Sequence, residues 1–159
     1  MLTIRTARTT LDIEACFRIR EEVFIDEQCV PAELERDEHD SEALHFIALA
    51  DGQPVGTARA VIKDNGKSAK IGRVAVRRPN RGFGIGKLLI SAIEETADLA
   101  HVGNFLLDAQ MHALQFYVRL GYQVYGAEFM DAGIPHRHMK KSNRHSVACD
   151  GGTSRRPPG

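Results

Sequence analysis

The chain has 159 residues, 43% of them hydrophobic, which is the size of one domain and enough to fill a single core. Its formal net charge at pH 7 is zero and no apolar run approaches the roughly 20 residues that cross a bilayer, so we expect a cytoplasmic protein with neither nucleic acid nor membrane as a partner. The three cysteines are widely spaced with no C-x-x-C pair, which argues against a disulfide framework and a zinc cluster.

The first predicted elements are a strand, a helix and an acidic loop. Residues 2–7 alternate apolar and polar side chains, and a helix begins at Thr10 with apolar positions at helical spacing through Phe24. A proline and a charge-rich run interrupt that periodicity, so residues 25–41 are expected to form a loop with some helical turn. The run at 33–40 is too acidic to be predicted as core; it would either attract a cationic amine or be a solvated loop.

A meander of three strands leads into a glycine-rich loop. Residues 43–50 and 54–63 are predicted strands joined by a tight turn at 51–52, and residues 70–76 form the third strand. After the loop, apolar side chains recur on one stripe at about 3.6-residue intervals, which predicts a helix over residues 86–100.

Strands and one more helix complete the predicted domain. In chain order they are a strand at 103–109, a helix at 111–120, a strand at 122–129 and a last strand at 136–141. The last strand is expected to pair with the strand at 122–129. Hydrophobic residues then become sparse, so residues 142–159 are expected to be a disordered tail and residues 1–141 the folded domain. This order of elements predicts an α/β domain with a mixed sheet and helices on both faces.

The most informative motif joins the third meander strand to the helix that follows it. Gly82, Gly84 and Gly86 leave the backbone without Cβ atoms, so successive N–H groups can surround an anion at the positive end of the helix dipole. A dinucleotide-binding fingerprint is excluded, because Lys87 stands where its third glycine should be. A nucleoside-triphosphate loop is also excluded, because its first glycine and its magnesium-binding hydroxyl are both missing.

The pattern that remains, Arg81-x-x-Gly84-x-Gly86 after a strand, resembles the R/Q-x-x-G-x-G/A pyrophosphate loop of the GNAT superfamily of N-acetyltransferases. The order of elements from about residue 4 to residue 140 is also similar to that fold. The segments that resemble the ElaA-like branch are Val23 to Gln28, Glu35-x-Asp37-x-x-Asp40, Ala109-Gln110 and Gly133-Ile-Pro-His136. The resemblance implies a single α/β domain with a mixed, mostly antiparallel sheet.

The resemblance also implies a site for acetyl-CoA as co-substrate. Backbone N–H groups of the loop would bind the pyrophosphate, and the pantetheine arm would lie between two splayed strands, 70–76 and 103–109, with one N–H serving as an oxyanion donor. The cofactor-binding residues predicted in this way are Val74, Ala75, Val76, Arg81, Gly82, Phe83, Gly84, Ile85, Gly86, Lys87 and Gln110. No metal is predicted, because His136 and His138 lack a third ligand at a defined spacing.

A second motif supplies a candidate general acid. The segment from Gln110 to Tyr122 is similar to the family pattern N-x-x-A-x-x-F/L-Y-x-x-x-G-F/Y, with Gln110 where asparagine is more usual. Tyr117 falls where the family often places the hydroxyl that protonates the departing thiolate, and a phenol is a reasonable acid for that step. A tyrosine that packs its ring in the core and shows its hydroxyl to water would give the same pattern.

Several residues are candidates for the general base. Many relatives place a glutamate on the strand before the loop, where this chain has Arg73. The candidates are Glu27, Asp37, Glu38, His45, His112 and His136, acting directly or through water. Glu27 is ranked first, because it follows the first helix in a segment that borders the acceptor pocket in such folds.

The predicted function is therefore that of an N-acetyltransferase that moves an acetyl group from acetyl-CoA to a primary amine by direct attack in a ternary complex. Two alternatives remain open: an acyltransferase with another acyl donor, and a non-catalytic module that binds acyl-CoA. The acceptor would be a small-molecule or peptide amine that no motif identifies. The resemblance is also compatible with a homodimer.

Overall fold

The computed structural model describes residues 1–144. Seven strands share one sheet: β1 Leu2–Thr6, β2 Leu44–Ala50, β3 Gln53–Lys63, β4 Ser68–Val76, β5 Asn104–Gln110, β6 Gln123–Asp131 and β7 Ile134–Ser142. Their order across the sheet is β1-β2-β3-β4-β5-β7-β6, and every neighbouring pair is antiparallel except β4 and β5. The four helices are α1 Thr10–Arg20, α2 Ala32–Glu35, α3 Ile85–Glu95 and α4 Leu114–Arg119. The predicted mixed, mostly antiparallel α/β fold is confirmed.

Helices pack on both faces of the sheet, as the order of elements predicted. Along β2, Phe46 and Ala48 belong to the core that contains α3, whereas Ile47 and Leu49 pack with Cys16 of α1. Side chains of a strand alternate between the two faces, so these two sets of contacts lie on opposite sides. No helix within residues 1–144 is long and apolar enough to cross a bilayer.

A glycine lets α3 approach the sheet closely. A Cβ atom on Gly56 of β3 would lie 3.1 Å from Cγ2 of Ile85 and 3.2 Å from Cδ1 of Leu89, both on α3. The absence of a side chain at this position therefore allows the first turns of α3 to lie directly against β3, beside the end of β4. This contact places the glycine-rich loop at the edge of the sheet face.

The two later helices are shorter than predicted. The helix predicted over 86–100 ends at Glu95, because Thr96 takes an extended conformation and its hydroxyl accepts a hydrogen bond from the Asp98 N–H, which starts a separate 3₁₀ turn. The helix predicted over 111–120 begins as a 3₁₀ turn at Met111–Ala113 and continues as α4. Apolar residues continue the helical stripe in both places, so periodicity alone overestimated the length.

The predicted loop at 25–41 contains more regular structure than expected. The first helix continues beyond Arg20 as a π-helical stretch, Glu21–Glu27, and α2 follows at Ala32–Glu35. Glu35, within the run predicted to be too acidic for the core, is only 1% exposed. That part of the prediction is wrong, because buried arginines supply partners for the carboxylates, as described below.

The folded domain extends past the predicted boundary at residue 141. β7 includes Ser142, and the side-chain amide of Asn143 donates to the main-chain oxygens of Leu99 and Val102 at 3.3 and 2.8 Å. Asn143 is also buried. The rest of the predicted tail, from residue 145 onward, lies outside the described residues.

Candidate functional site

β4 and β5 are paired at only one end. The two parallel strands face each other over Ser68–Ile71 and Asn104–Leu107, and their pairing stops there. Because β4 continues to Val76 and β5 to Gln110, a wedge-shaped gap opens between them. The splayed pair of strands that the sequence analysis expected is therefore present. Such a gap leaves main-chain donors and acceptors available to an extended ligand.

A β-bulge on β4 lies where the gap opens. The register with β3 shifts between Thr57 and Arg59, so that Arg73 and Val74 of β4 face a single residue of β3. Arg73 has a φ of 51°, in the left-handed region that residues other than glycine rarely adopt. Its guanidinium donates to the main-chain oxygen of Glu35 at 3.0 and 2.9 Å, which fixes the bulge against α2.

The main chain of Val76 faces the gap. The N–H of Arg77 donates to the carbonyl of Val55 at 2.9 Å, on the β3 side. The carbonyl of Val76 points the other way and accepts from Nε of Arg81 at 2.8 Å. Because main-chain groups alternate in direction and Ala75 pairs with Thr57 of β3, the carbonyl of Val74 also lies on the gap side. The N–H of Val74 belongs to the bulge, where the regular alternation is interrupted.

The glycine-rich loop has the backbone geometry of an anion site. Gly82 and Gly84 have φ values of 88° and 80°, and Gly84 immediately precedes α3. A Cβ atom on either glycine would meet nothing within 4 Å, so the loop faces open space and glycine is required for its conformation. Within the described part of the chain no side chain caps the start of α3, whose first N–H groups are thus available to a ligand.

Arg81 and Glu27 form an ion pair beside this loop. Nη2 of Arg81 donates to Oε1 of Glu27 at 2.7 Å, and Nη2 of Arg78 lies 3.5 Å from the same oxygen. The hydrogen bond from Arg81 lowers the pKa of the Glu27 carboxyl. The carboxylate therefore connects the π-helical stretch to the loop.

The other predicted cofactor residues divide into buried and exposed side chains. Ala75 and Ile85 belong to the core, so only their main chains could contact a cofactor. Phe83 is 75% exposed at the tip of the loop. A Cβ atom on Gly86 would lie 3.7 Å from Phe116 of α4, an ordinary van der Waals distance, so Phe116 borders the first turn of α3.

A cavity of about 590 Å³ occupies the gap and the space beside it. It lies between β4, β5, the segment after α1, the turn before α4 and the β6–β7 hairpin. The side chains on its wall that carry charge or imidazole are Glu35, Asp37, His39, Arg59, Lys63, Lys70, Arg73, Asp108, His112, Asp131 and His136. Another cavity, of about 510 Å³, lies at the opposite end of β5 around Gly103, away from the loop and the gap.

Arginines neutralise the acidic run on one wall of this cavity. Arg20 donates to Glu35 at 2.7 Å and to Asp40 at 2.8 Å, and Arg59 donates to Asp37 at 2.7 Å and to Asp40 at 2.8 Å. The hydrogen bond from Arg59 lowers the pKa of Asp37 despite its partial burial. These carboxylates are thus structural partners of arginines. This role differs from both expectations for the run, attraction of a cationic amine and a solvated loop.

Tyr117 lies on the cavity wall with its ring packed between aromatic neighbours. Ring centroids of Phe116 and Tyr122 lie 4.9 and 6.1 Å from that of Tyr117, both in edge-to-face orientation. Burial raises the pKa of the Tyr117 hydroxyl to about 12. The hydroxyl therefore stays protonated over the whole physiological range, as a proton donor must.

Gln110 bridges the open end of the gap. Its Nε2 donates to Oε1 of Gln28 at 3.0 Å, joining the end of β5 to the turn after the π-helical stretch. Both glutamines line the cavity. Gln110 was expected from the motif, whereas its partner Gln28 could not be identified from the sequence, because the two residues are far apart in the chain.

The structure brings half of the candidate bases to the cavity. Asp37, His112 and His136 line it, whereas Glu27, Glu38 and His45 do not. Nε2 of His45 is hydrogen-bonded to the main-chain oxygen of Asp40 at 2.9 Å. The catalytic role of Glu27 stays a prediction, but its geometry favours support of Arg81.

Sequence reasoning missed the buried ion pairs, although one signal was present. Arg20 lies four positions after Cys16 and one after Ile19 on the first helix, on the side that the apolar pattern assigns to the core. A charge at such a position requires a buried partner. The acidic run at 33–40 was the nearest source of carboxylates in the sequence.

Comparisons with known proteins agree with this architecture. Residues 8–143 match the family model described as an acetyltransferase (GNAT) domain. The chain is 39% identical to the uncharacterized N-acetyltransferase YjcF of Bacillus subtilis over 136 residues, which cover 85% of this chain and 96% of YjcF.

Solved structures give the same result. Escherichia coli ElaA superposes with a TM-score of 0.77 at 25% identity, covering 89% of this chain and 99% of that one. An acyl-CoA N-acyltransferase from Pseudomonas aeruginosa superposes with a TM-score of 0.75 at 28% identity, covering 89% and 98% of the two chains.

Proposed function

Because the chain belongs to the acetyltransferase (GNAT) family, with ElaA among its relatives, it is an acyl-CoA-dependent acyltransferase, and we propose that it transfers acetyl from acetyl-CoA to a primary amine. The observation that carries the proposal is the alignment of two features on β4. The strand borders the gap along its second half and leads, through the 3₁₀ turn Arg78–Asn80, into the glycine-rich loop.

The cofactor would bind along β4 in an extended form. The N–H groups of residues 82–87 would donate hydrogen bonds to the pyrophosphate oxygens at the positive end of the α3 dipole. Arg81 would add charge at its side. The pantetheine arm would hydrogen-bond to the gap-facing main chain of Val74 and Val76, in the manner of an added strand.

The chemistry we propose is direct attack of the amine nitrogen on the thioester carbonyl. A tetrahedral intermediate forms, and the N–H of Val74, one of the two residues of the bulge, would donate to its oxyanion. The carbon–sulfur bond then breaks, and the Tyr117 hydroxyl would protonate the departing thiolate. No acyl-enzyme is required, so neither Cys16, which is buried, nor Cys29 is assigned a nucleophilic role.

Two measurements test this function. Isothermal titration calorimetry with CoA and acetyl-CoA measures cofactor binding, and release of free thiol measures turnover with a panel of polyamines, aminosugars, amino acids and peptides. We expect micromolar binding of acetyl-CoA and thiol release that depends on the added amine. Faster thiol release with a longer acyl-CoA would mean that the preferred donor is not acetyl-CoA. Tight binding without any turnover would favour a non-catalytic acyl-CoA-binding module.

A further inference from the structure

His136 is a buried histidine on the wall of the cavity. It lies on β7 opposite Gln110 of β5 and Phe129 of β6, and only 8% of its surface is exposed. Its ring stacks on that of Phe129 with centroids 5.7 Å apart and planes inclined by 28°. The imidazole is therefore held in one orientation next to the end of the gap.

The hydrogen bond of His136 determines which ring nitrogen can accept a proton. Nδ1 lies 2.7 Å from the main-chain oxygen of Ile134. A carbonyl oxygen can only accept, so Nδ1 must carry the hydrogen. In the neutral ring the lone pair then resides on Nε2, which has no hydrogen-bond partner within residues 1–144 and belongs to a side chain that lines the cavity.

Two carboxylates on the same wall, those of Asp37 and Asp108, are engaged with cations. Asp37 accepts two hydrogen bonds from Arg59, at 2.7 and 2.9 Å. Asp108 lies 2.7 Å from Nζ of Lys70 and 2.6 Å from Nδ1 of His138. Although burial opposes it, the hydrogen bond from Lys70 lowers the pKa of Asp108. Both carboxylates are thus weak bases with their lone pairs already in use.

His112 is the other imidazole candidate on the wall. It lies on the 3₁₀ turn Met111–Ala113, before α4, where no hydrogen bond to another described residue fixes its ring. It therefore lacks the tautomer selection that the Ile134 carbonyl gives to His136. It provides a matched comparison, because both histidines line one cavity.

We propose that Nε2 of His136 removes a proton from the ammonium group of the acceptor, an inference that rests on the proposed function. The freed lone pair of the amine attacks the thioester carbonyl, while Nδ1–H of the resulting imidazolium remains bonded to the Ile134 oxygen. Tyr117 gives its proton to the departing thiolate. As the amide forms, a second proton leaves the nitrogen and passes to Tyr117, which restores its hydroxyl. The products are the amide, CoA as the free thiol and one proton released from His136.

Several titratable groups surround this imidazole and contribute to any pH profile. Asp108 projects from β5, Asp131 from the end of β6 and His112 from the turn before α4, and all three line the cavity. His138 lies two residues further along β7, bound to Asp108. A pH profile can therefore be assigned to His136 only by comparison with variants.

The test uses the full chain with His136→Gln and His112→Gln. For His136→Gln we expect kcat to fall by about 10²-fold or more, with the loss of the acidic limb of the kcat/KM profile and an unchanged Kd for CoA. His112→Gln tests the competing assignment, and its kcat/KM profile should retain the acidic limb whatever the effect on kcat. The proposal is overturned if His136→Gln keeps both its kcat and its acidic limb, or if only His112→Gln loses them.

A second measurement separates proton removal from a structural role. An acceptor amine whose conjugate acid has a pKa well below the assay pH arrives neutral and needs no base. His136→Gln should therefore recover most of its activity with that amine, and failure to recover would overturn the proposal. If His136→Gln does not fold, His136→Asn is measured in its place, with the same expected loss of kcat and the same recovery with the low-pKa amine. A parent protein that binds no CoA would instead contradict the proposed function.

Discussion

Arg20 and Glu35 form an ion pair that is almost completely removed from water. Nε of Arg20 lies 2.7 Å from Oε2 of Glu35, and each side chain is only 1% exposed. Arg73, at the bulge of β4, lies 3.4 Å from the same oxygen. One buried carboxylate thus connects α1, α2 and the strand that borders the gap.

Removal of Glu35 should strongly destabilise the fold. Glu35→Ala leaves the Arg20 charge buried with fewer partners, and we expect the free energy of unfolding to fall by about 3 to 5 kcal/mol in denaturant titration. The exposed pair of Arg8 and Asp98, 3.3 Å apart, is the control, and Arg8→Ala should cost about 1 kcal/mol or less. Equal costs for the two variants would contradict the structural role of the buried pair.

Low pH should destabilise the fold through Asp37, which is bound by Arg59. The pKa of Asp37 is lowered in the folded protein by its hydrogen bond from Arg59, so its contribution to stability is complete above the unfolded value of about 3.9. As pH falls below that value the unfolded chain binds the proton first, and the free energy of unfolding should decrease until the folded carboxyl is also protonated. Denaturant midpoints from pH 6 down to about pH 2 measure this. Asp37→Asn should show a shallower decrease.

Gly84 should be required for cofactor binding as well as for backbone conformation. Gly84→Val introduces a side chain at a φ of 80° and covers N–H groups of the loop, so we expect loss of CoA binding in calorimetry. Gly52, in the β2–β3 turn at a φ of 83°, has the same strain far from the loop. Gly52→Val should lose a similar stability, about 1 to 2 kcal/mol, while keeping its CoA affinity. Normal affinity in the folded Gly84→Val protein would argue against the anion site.

The Tyr117 hydroxyl should contribute to turnover and not to cofactor affinity. Tyr117→Phe removes the proton donor for the thiolate, and we expect kcat to fall by roughly 10²-fold with an unchanged Kd for acetyl-CoA. Tyr125→Phe, on the exposed surface of β6, should have no effect.

The same residue predicts the alkaline part of the pH profile. Only the protonated phenol can act as the acid, so activity would be lost as pH rises through the pKa of about 12. No alkaline limb from Tyr117 should therefore appear below about pH 10. A limb near pH 8 that disappears in Tyr117→Phe would contradict the burial of this hydroxyl.

Glu27 should act through Arg81. In Glu27→Gln the short ion pair at 2.7 Å is lost, the arginine is less well positioned, and we expect a several-fold weaker Kd for CoA with kcat retained. Glu22→Gln, which removes the partner of Arg77 on the same helical segment, is the control and should bind CoA normally. A loss of kcat at unchanged affinity would instead support the role of base that the sequence analysis assigned to Glu27.

The sequence by itself determined the elements and the loop. All seven strands lie within two residues of their predicted bounds, because period-two alternation and turn residues are local signals. The glycines of the loop were readable for the same reason, since a positive φ is a property of single positions. The resemblance to the GNAT superfamily followed from this short segment and the order of elements.

Only the tertiary structure decided which side chains meet at the cavity. Arg20 and Glu35 are separated by 15 residues and Gln28 and Gln110 by 82, so their contacts depend on how helices and strands approach one another. The bulge at Arg73 likewise arises from pairing with β3 and from the carbonyl groups of α2. Periodicity assigns a residue to one face of its own element, but pairing across the sheet determines its neighbours, and this is why only three of the six candidate bases, Asp37, His112 and His136, line the cavity.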